Sequence, residues 1–192
     1  MITSKSGYIF YVEADLAANK YEKWKWWYKY SAPLMYFQRL LRKGEYYHNC
    51  RNDITGRIYY KFLYHRFLKY SINLGLTIPP NSFGPGLSIA HYGSIVVAGR
   101  IGANCRIHSC VNIGEGGKQN PIIGDNVYIG PGAKIFGGIT IGNNVAIGAN
   151  SVVNKSYPDN VTVAGIPAKI ISDKGSSDLI IKGTEIIKNS RT

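Results

Sequence analysis

Long apolar runs are missing. No stretch of about 18 or more apolar residues occurs in the 192-residue chain, so an ordinary transmembrane helix is not expected. The N-terminus also lacks the charged start, apolar stretch and small-residue cleavage site of a secretory signal, which points to the cytoplasm. Cysteine is scarce: Cys50, Cys105 and Cys110 form an odd set with no CxxC spacing, and are read as small buried thiols rather than a disulfide framework or a metal site. Acidic residues are few, 11 against 23 Lys and Arg, leaving a net charge of +12. A phosphate-binding glycine loop is absent too. Gly84-Pro85-Gly86 does not separate a strand from a helix, so no nucleotide-binding fold is indicated.

What is present is a repeat. An aliphatic or aromatic residue returns every sixth position through Phe83, Ile89, Ile95, Ile101, Ile107 and Ile113. It returns again through Ile123, Ile129, Ile135, Ile141, Ile147 and Val153. The step from Ile113 to Ile123 is one hexapeptide plus four residues, which predicts a loop pushed out of a regular coil. Small or β-branched residues recur four places after the repeat position, at Cys105, Val111, Val127, Ala133, Val145 and Ser151. So short a period suits very short strands joined by tight turns, not helices. One hexapeptide has no core of its own, and stability must come from stacked neighbours. Each buried aliphatic side chain contributes roughly 1.5–3 kcal/mol, so about a dozen stacked positions make a sizeable core.

The pattern resembles the hexapeptide-repeat acyltransferases, and within them the serine acetyltransferases and the O-acetyltransferases of surface-polysaccharide clusters. The matching residues are Gly84 to Gly93 (GPGLSIAHYG), Ile113 to Gly117 (IGEGG) and Ala164 to Lys169 (AGIPAK), within a likeness running from about Leu76 to Ile171. The resemblance implies a mainly β fold, a left-handed parallel β-helix with three hexapeptides per coil. The hand comes from the resemblance alone, since ordinary crossover chirality favours the opposite one. The chain then divides into an N-terminal helical segment over 1–75, the β-helix domain over 76–171 and a C-terminal tail over 172–192. The tail is left open between a final strand around Leu179-Ile180-Ile181 and disorder.

The N-terminal segment holds most of the charge. From Lys20 to Tyr70, twelve Lys and Arg face only Glu22, Glu45 and Asp53, an excess of nine. Aromatics crowd the same stretch, from Trp24, Trp26 and Trp27 to Tyr64 and Phe67. Helices are expected near 16–30, 33–43 and 56–73, the last ended by Gly75 and Pro79-Pro80. Tyr60, Leu63, Tyr64, Phe67 and Leu68 suit one apolar face of that last helix. Either the aromatics cap the solenoid and the charges are solvated, or the segment contacts an anionic membrane surface. Nucleic acid is not expected as a partner, because basic charge and aromatics without a motif are weak evidence.

Acyl transfer from a thioester to a hydroxyl needs a base for the hydroxyl proton and donors for the developing oxyanion. His91, in a loop-like Ala-His-Tyr-Gly context, aligns with the family's catalytic histidine. His108 is its rival, but directly follows the inward Ile107 and is expected at an outer or trimer-facing position. The resemblance further implies substrate contacts from Tyr92 and from the loop residues Glu115, Gln119 and Asn120. Acetyl-CoA, as cosubstrate, would lie along a groove between adjacent β-helices of a homotrimer, beside Gly130, Ala133, Gly148, Ala149, Ala164, Gly165 and Lys169. No covalent acyl-enzyme is expected, because neither nearby cysteine has a basic partner.

The chain departs from the serine acetyltransferase pattern at three places. Gln119-Asn120-Pro121 stands where Arg-His-Pro is common, Ala90 replaces the Asp before the catalytic His, and the orienting Asp upstream would align near Leu76 or Thr77. The first expectation is therefore a sugar hydroxyl of a surface polysaccharide or its precursor. Serine O-acetylation is the enzyme alternative. An inactive or metal-binding scaffold is the third, although the metal version needs three coil-matched histidines and His91 with His108 supplies two.

Overall fold

The computed structural model describes residues 1–114, 116–117 and 119–191. Glu115 and Lys118 of the expected loop lie outside them. Among the described residues the helices are α1 (Lys5–Ala18), α2 (Tyr28–Ser31), α3 (Pro33–Cys50), α4 (Ile54–Leu74) and α5 (Gly183–Asn189), with very short strands between α4 and α5.

The strands stack into three sheets, one for each hexapeptide of a coil. The first sheet joins Leu76–Thr77, Ile95–Val97, Asn112–Gly114, Lys134–Phe136 and Val152–Val153 in parallel. The second joins Arg100–Ile101, Ile122–Ile123 and Thr140–Ile141. The third runs Ser88–Ile89, Arg106–Ile107, Tyr128–Ile129, Ala146–Ile147 and Thr162–Gly165, and closes on the antiparallel strand Ala168–Ser172. Ile89 pairs with Ile107 and Ile129 with Ile147, three hexapeptides apart. Ile107 pairs with Ile129, so the four extra residues fall between these two coils, as the spacing predicts. The register slips at two coils, the later one where Ile147 pairs with Val163. Val97, not Ile95, pairs with Ile113, while Ile95 pairs back to Leu76.

Every repeat position from Phe83 to Val153 is buried, and with it Cys105, Val111, Val127, Ala133, Val145 and Ser151. The stacking leaves no room at the turns. A Cβ on Gly124 would lie 2.8 Å from the Gly142 carbonyl carbon one coil further on. Asn104, Asn126, Asn144 and Asn160, each three residues after a second-sheet position, take positive φ between 54° and 62°, a conformation asparagine tolerates best among residues with a side chain. Their amides form a ladder, Asn104 donating to Asn126, Asn126 to Asn144 and Asn144 to Asn160, each at 2.9 Å.

The helices differ from expectation in extent. The first is Lys5–Ala18, capped by Ser4, whose hydroxyl accepts the Gly7 amide at 3.0 Å; residues 20–27 form no helix. Local periodicity suggested helix over 16–30, but Asn19 closes α1 and turns the chain across the solenoid. Asp53 caps α4 and Gly75, at φ 68°, ends it. Leu63 and Phe67 of α4 are buried, with Phe67 stacked on Phe37 at 5.2 Å, whereas Tyr64 and Leu68 are exposed. The buried face is narrower than the pattern implies, because the solenoid end covers only one side. Phe37, Leu40, Leu41, Leu63 and Phe67 form one continuous core with Leu76, Ile78 and Phe83. Much of the aromatic segment thus covers the solenoid end.

Among the described residues after Ser172, 173–182 form no strand and Gly183–Asn189 form α5. Helix α5 packs on α1, where a Cβ on Gly183 would meet the Ala14 carbonyl oxygen at 2.1 Å. Thr184 ties α5 to the asparagine ladder, its amide donating to Asn104 Oδ1 at 3.1 Å and its hydroxyl accepting from Asn104 Nδ2 at 2.8 Å. The cysteines are unpaired, but only Cys105 is fully buried; Cys110 is exposed, in a turn at φ 62°, against the expectation of buried thiols.

Candidate active site

Five residues define one edge of the third sheet. Register stacks Ile89, Ile107, Ile129, Ile147 and Val163 in successive coils, and the residue after each faces the same edge: Ala90, His108, Gly130, Gly148 and Ala164. Four of the five are small, and His108 is the one bulky member. His91 follows Ala90 into the turn at the first-coil end and is exposed, as is Tyr92 beside it. Its ring centroid lies 6.0 Å from that of His108.

His108 is half-buried, packed edge-on against Tyr128 at 5.2 Å, and its Nε2 is buried without a partner among the described residues. Burial, with the positive Arg106 and the neighbouring His91, holds it below the ordinary imidazole value of 6.5. It is a neutral wall at neutral pH. His91 is the exposed histidine of the pair, and exposure suits a base that must meet an incoming hydroxyl.

Of the residues expected to hold acetyl-CoA, Gly148, Ala149, Ala164, Gly165 and Lys169 lie at or near the surface of one neighbourhood. Ala164 pairs with Lys169 and Gly165 with Ala168 in the terminal hairpin. Gly130 is buried at the same edge, where a Cβ would lie 2.8 Å from the Ala149 amide nitrogen. Coil stacking therefore accounts for that glycine without a ligand. Ala133 is fully buried in the core, so of the expected acetyl-CoA contacts there, made through backbone groups, none would involve its methyl. It occupies the small position of the repeat, four residues after Ile129, and that periodicity takes its methyl inward.

Gln119 and Asn120 line places other than the His91 turn. Asn120 lines an open cavity of about 910 Å³ with Phe83, Gly84, Arg100, Ile101 and Asp125, on the second-sheet side. Gln119 packs over Gly138, where a Cβ would meet its Oε1 at 2.6 Å. Glu115, the fourth expected substrate contact, lies outside the described residues. His48 and His65 are exposed on the helical segment, far from any of these groups in sequence and sharing no contact with His91 or His108.

Sequence reasoning missed a second cavity. Between the end of α1, the start of α3 and the third sheet lies a space of about 400 Å³, bordered by both neighbours of His91, Ala90 and Tyr92, and by Asn19, Lys20, Tyr21 and Arg106. Its two walls are 53 to 88 residues apart in the chain, and no local spacing announces it. Among the described residues, no cluster of three His, Cys, Asp or Glu could hold a metal ion.

Comparison with known proteins follows this geometry. The family model described as bacterial transferase hexapeptide (six repeats) matches residues 120–155. The serine acetyltransferase of Staphylococcus xylosus is 46% identical over 108 residues, which cover 53% of this chain and 50% of that protein. The Staphylococcus aureus protein of the same name is 44% identical over an equal length, covering 51% of it. The aligned stretch thus spans about half the length of these curated relatives. Among solved structures, the serine acetyltransferase of Neisseria gonorrhoeae in complex with serine superposes with a TM-score of 0.62 at 34% identity, over 86% of this chain and 69% of that one. The Brucella abortus enzyme in complex with coenzyme A superposes with a TM-score of 0.64 at 27% identity, over 90% and 71%.

Proposed function

Because the chain belongs to the hexapeptide-repeat acetyltransferases, the left-handed parallel β-helix family of its serine acetyltransferase neighbours, we propose that it transfers acetyl from acetyl-CoA to a hydroxyl, with L-serine the acceptor. The observation that carries this reading is the 46% identity to a serine acetyltransferase. Neighbours solved with serine and with coenzyme A support the two substrates. This likeness reverses the order drawn from Ala90, Gln119 and Asn120, which put a sugar hydroxyl first. The sugar remains the second reading on one specific observation: the side chain before His91 is the methyl of Ala90, with no carboxylate there to meet an ammonium group.

Acetyl-CoA supplies the acetyl group as an activated thioester. His91 takes the acceptor's hydroxyl proton as that oxygen attacks the acetyl carbonyl, and backbone N–H groups stabilise the oxyanion. The carbon–sulfur bond then breaks, and His91 returns the proton to sulfur, leaving an O-acetyl product and free CoA thiol. Gly148, Ala149, Ala164 and Gly165 let the donor approach the backbone closely, and Lys169 meets its phosphates as a point charge. The active assembly is a homotrimer, which would bring the Gln119-Asn120 loop of one protomer over His91 of its partner.

Thiol release from acetyl-CoA tests the acceptor. Turnover with L-serine and none with the host's purified surface polysaccharide is the expected result. Turnover with the polysaccharide alone would replace serine by the sugar.

The helical segment adds a second, surface role at the inner face of the membrane. Among the described residues no helix is long and apolar enough to cross a membrane. Yet α4 presents Ile54 (77% exposed), Ile58, Phe62, Leu68 and Ile72 to solvent, next to Arg57, Lys61 and Lys69. Trp26 and Tyr30 are more than 70% exposed beside Lys25 and Lys29. Apolar and aromatic groups among cations suit an anionic lipid surface, where each Lys or Arg contributes about 1 kcal/mol. Cosedimentation with phosphatidylglycerol vesicles should be strong at low salt, fall steeply as salt rises, and be absent with phosphatidylcholine. Equal binding to both vesicles, or to neither, would exclude this role.

A further inference from the structure

We propose that the 400 Å³ cavity beside His91 is a carboxylate subsite, in which Arg106 and Lys20 hold an acidic group of the acceptor while its hydroxyl reaches His91. The inference rests on the acetyl-transfer reading and narrows it to acceptors that carry both a hydroxyl and a carboxylate. A hydroxy amino acid and a uronic-acid sugar share that chemistry.

Arg106 carries the argument. It precedes the inward Ile107 on the third sheet, so its side chain leaves the coil on the side facing the helical segment. Its Nε is buried and has no hydrogen-bond partner, and among the described residues the side chain forms no ion pair. That Nε is closed off, but a guanidinium with no ion pair at the edge of a cavity leaves its outer N–H groups for an anionic acceptor. The lining contains Lys20 as a second cation and no Asp or Glu, so nothing in the wall neutralises either charge.

Asn19 and Ser88 of the wall are already engaged. Asn19 donates to the carbonyls of Asp15 at 2.7 Å and Leu87 at 2.9 Å, and its Oδ1 lies 3.1 Å from the Ser88 hydroxyl. They shape the space and leave ligand binding to the cations and to the hydroxyls of Tyr21 and Tyr92. The volume suits a small polar acceptor. The planar guanidinium matches a carboxylate through two parallel N–H donors, a geometry that lysine cannot reproduce. Location completes the case, because Ala90 and Tyr92 border the cavity and His91 lies between them in sequence.

The test compares Arg106→Gln and the exposed-site variant Lys20→Gln with the unmodified chain. Thiol release would be followed with L-serine and with glucuronic acid, and with their carboxylate-free partners L-serinamide and glucose. Calorimetry would measure binding of the two acids without acetyl-CoA. Arg106→Gln should raise KM for the acid that is the true acceptor about 10-fold or more, leave KM for acetyl-CoA unchanged, and not raise KM for its carboxylate-free partner. Arg106→Lys should recover part of the loss. Equal effects on the acid and on its carboxylate-free partner, or none on either, would overturn the subsite. Should no acceptor turn over, acid binding that is lost in Arg106→Gln would keep the subsite while acetyl transfer fails. Absence of acid binding to the unmodified chain would sink the subsite alone.

Discussion

Alanine in place of His91 should lower acetyl transfer about 10²- to 10⁴-fold, the range that a positioned general base supplies, and leave KM for acetyl-CoA within a factor of a few. His91 is exposed and makes no hydrogen bond to the described residues, so the variant should fold and melt like the parent. The loss would therefore report chemistry. His108→Gln is the informative control. That side chain is packed against Tyr128 and kept neutral by burial, so its replacement should cost stability or acceptor affinity more than kcat. The measurement is thiol release under saturating substrates, with melting temperatures recorded in parallel. If His91→Ala retains activity within threefold while His108→Gln loses it, the two roles are exchanged.

The second large effect concerns a group distant from the chemistry. Arg42 is completely buried, and its guanidinium holds the helical segment onto the first coil. Its Nε donates to Asp15 Oδ2 at 2.8 Å and its Nη1 to Glu45 Oε2 at 3.1 Å. The same group donates to the carbonyls of Phe83 at 2.9 Å and Gly84 at 2.6 Å. The carboxylates reach the coil in turn. Asp15 Oδ1 accepts the amides of Gly86 and Leu87 at 2.9 and 2.8 Å, and Glu45 Oε1 accepts that of Asn81 at 2.7 Å.

Arg42→Ala would strand two buried carboxylates. Burial already raises the Asp15 carboxyl above its usual range despite Arg42, and removing the cation takes away what opposes that rise. A cost of about 3–5 kcal/mol is expected, or a fall in melting temperature of roughly 6–20 °C for a chain of this size. Adding Asp15→Asn should recover part of it. Because residues 83–87 lead directly to His91, the surviving folded fraction should also show weakened turnover. A melting temperature within about 2 °C of the parent would mean that water replaces the guanidinium and that the network is dispensable.

How much of this was legible before folding differs by part. The core was almost wholly so: a side chain repeated every sixth residue has one way to be buried, and the positions from Phe83 to Val153 are all inside. Even the outward loop could be placed from its four extra residues. The asparagine ladder was equally periodic, three residues after each second-sheet position, and went unread because it is a turn signal and not a hydrophobic one. Helix bounds failed where the chain crosses itself, since Asn19 ends α1 by reaching the Leu87 carbonyl, a partner that no window of local sequence contains.

The site divides along the same line. His91 stood out because a short motif surrounds it, while the repeat spacing, four residues after Ile129, is what takes the Ala133 methyl inward. Arg106, Lys20 and Asn19 carried no signal at all: an arginine before a repeat isoleucine is ordinarily a solvated face. By itself the sequence determined the solenoid, its coil length and the position of the histidine, because these depend on contacts that recur at a constant separation. Only the tertiary structure decided what covers the solenoid end, where Arg42 is neutralised, and which cation faces the reacting edge. Those depend on single contacts between segments tens of residues apart, and such contacts leave no period to read.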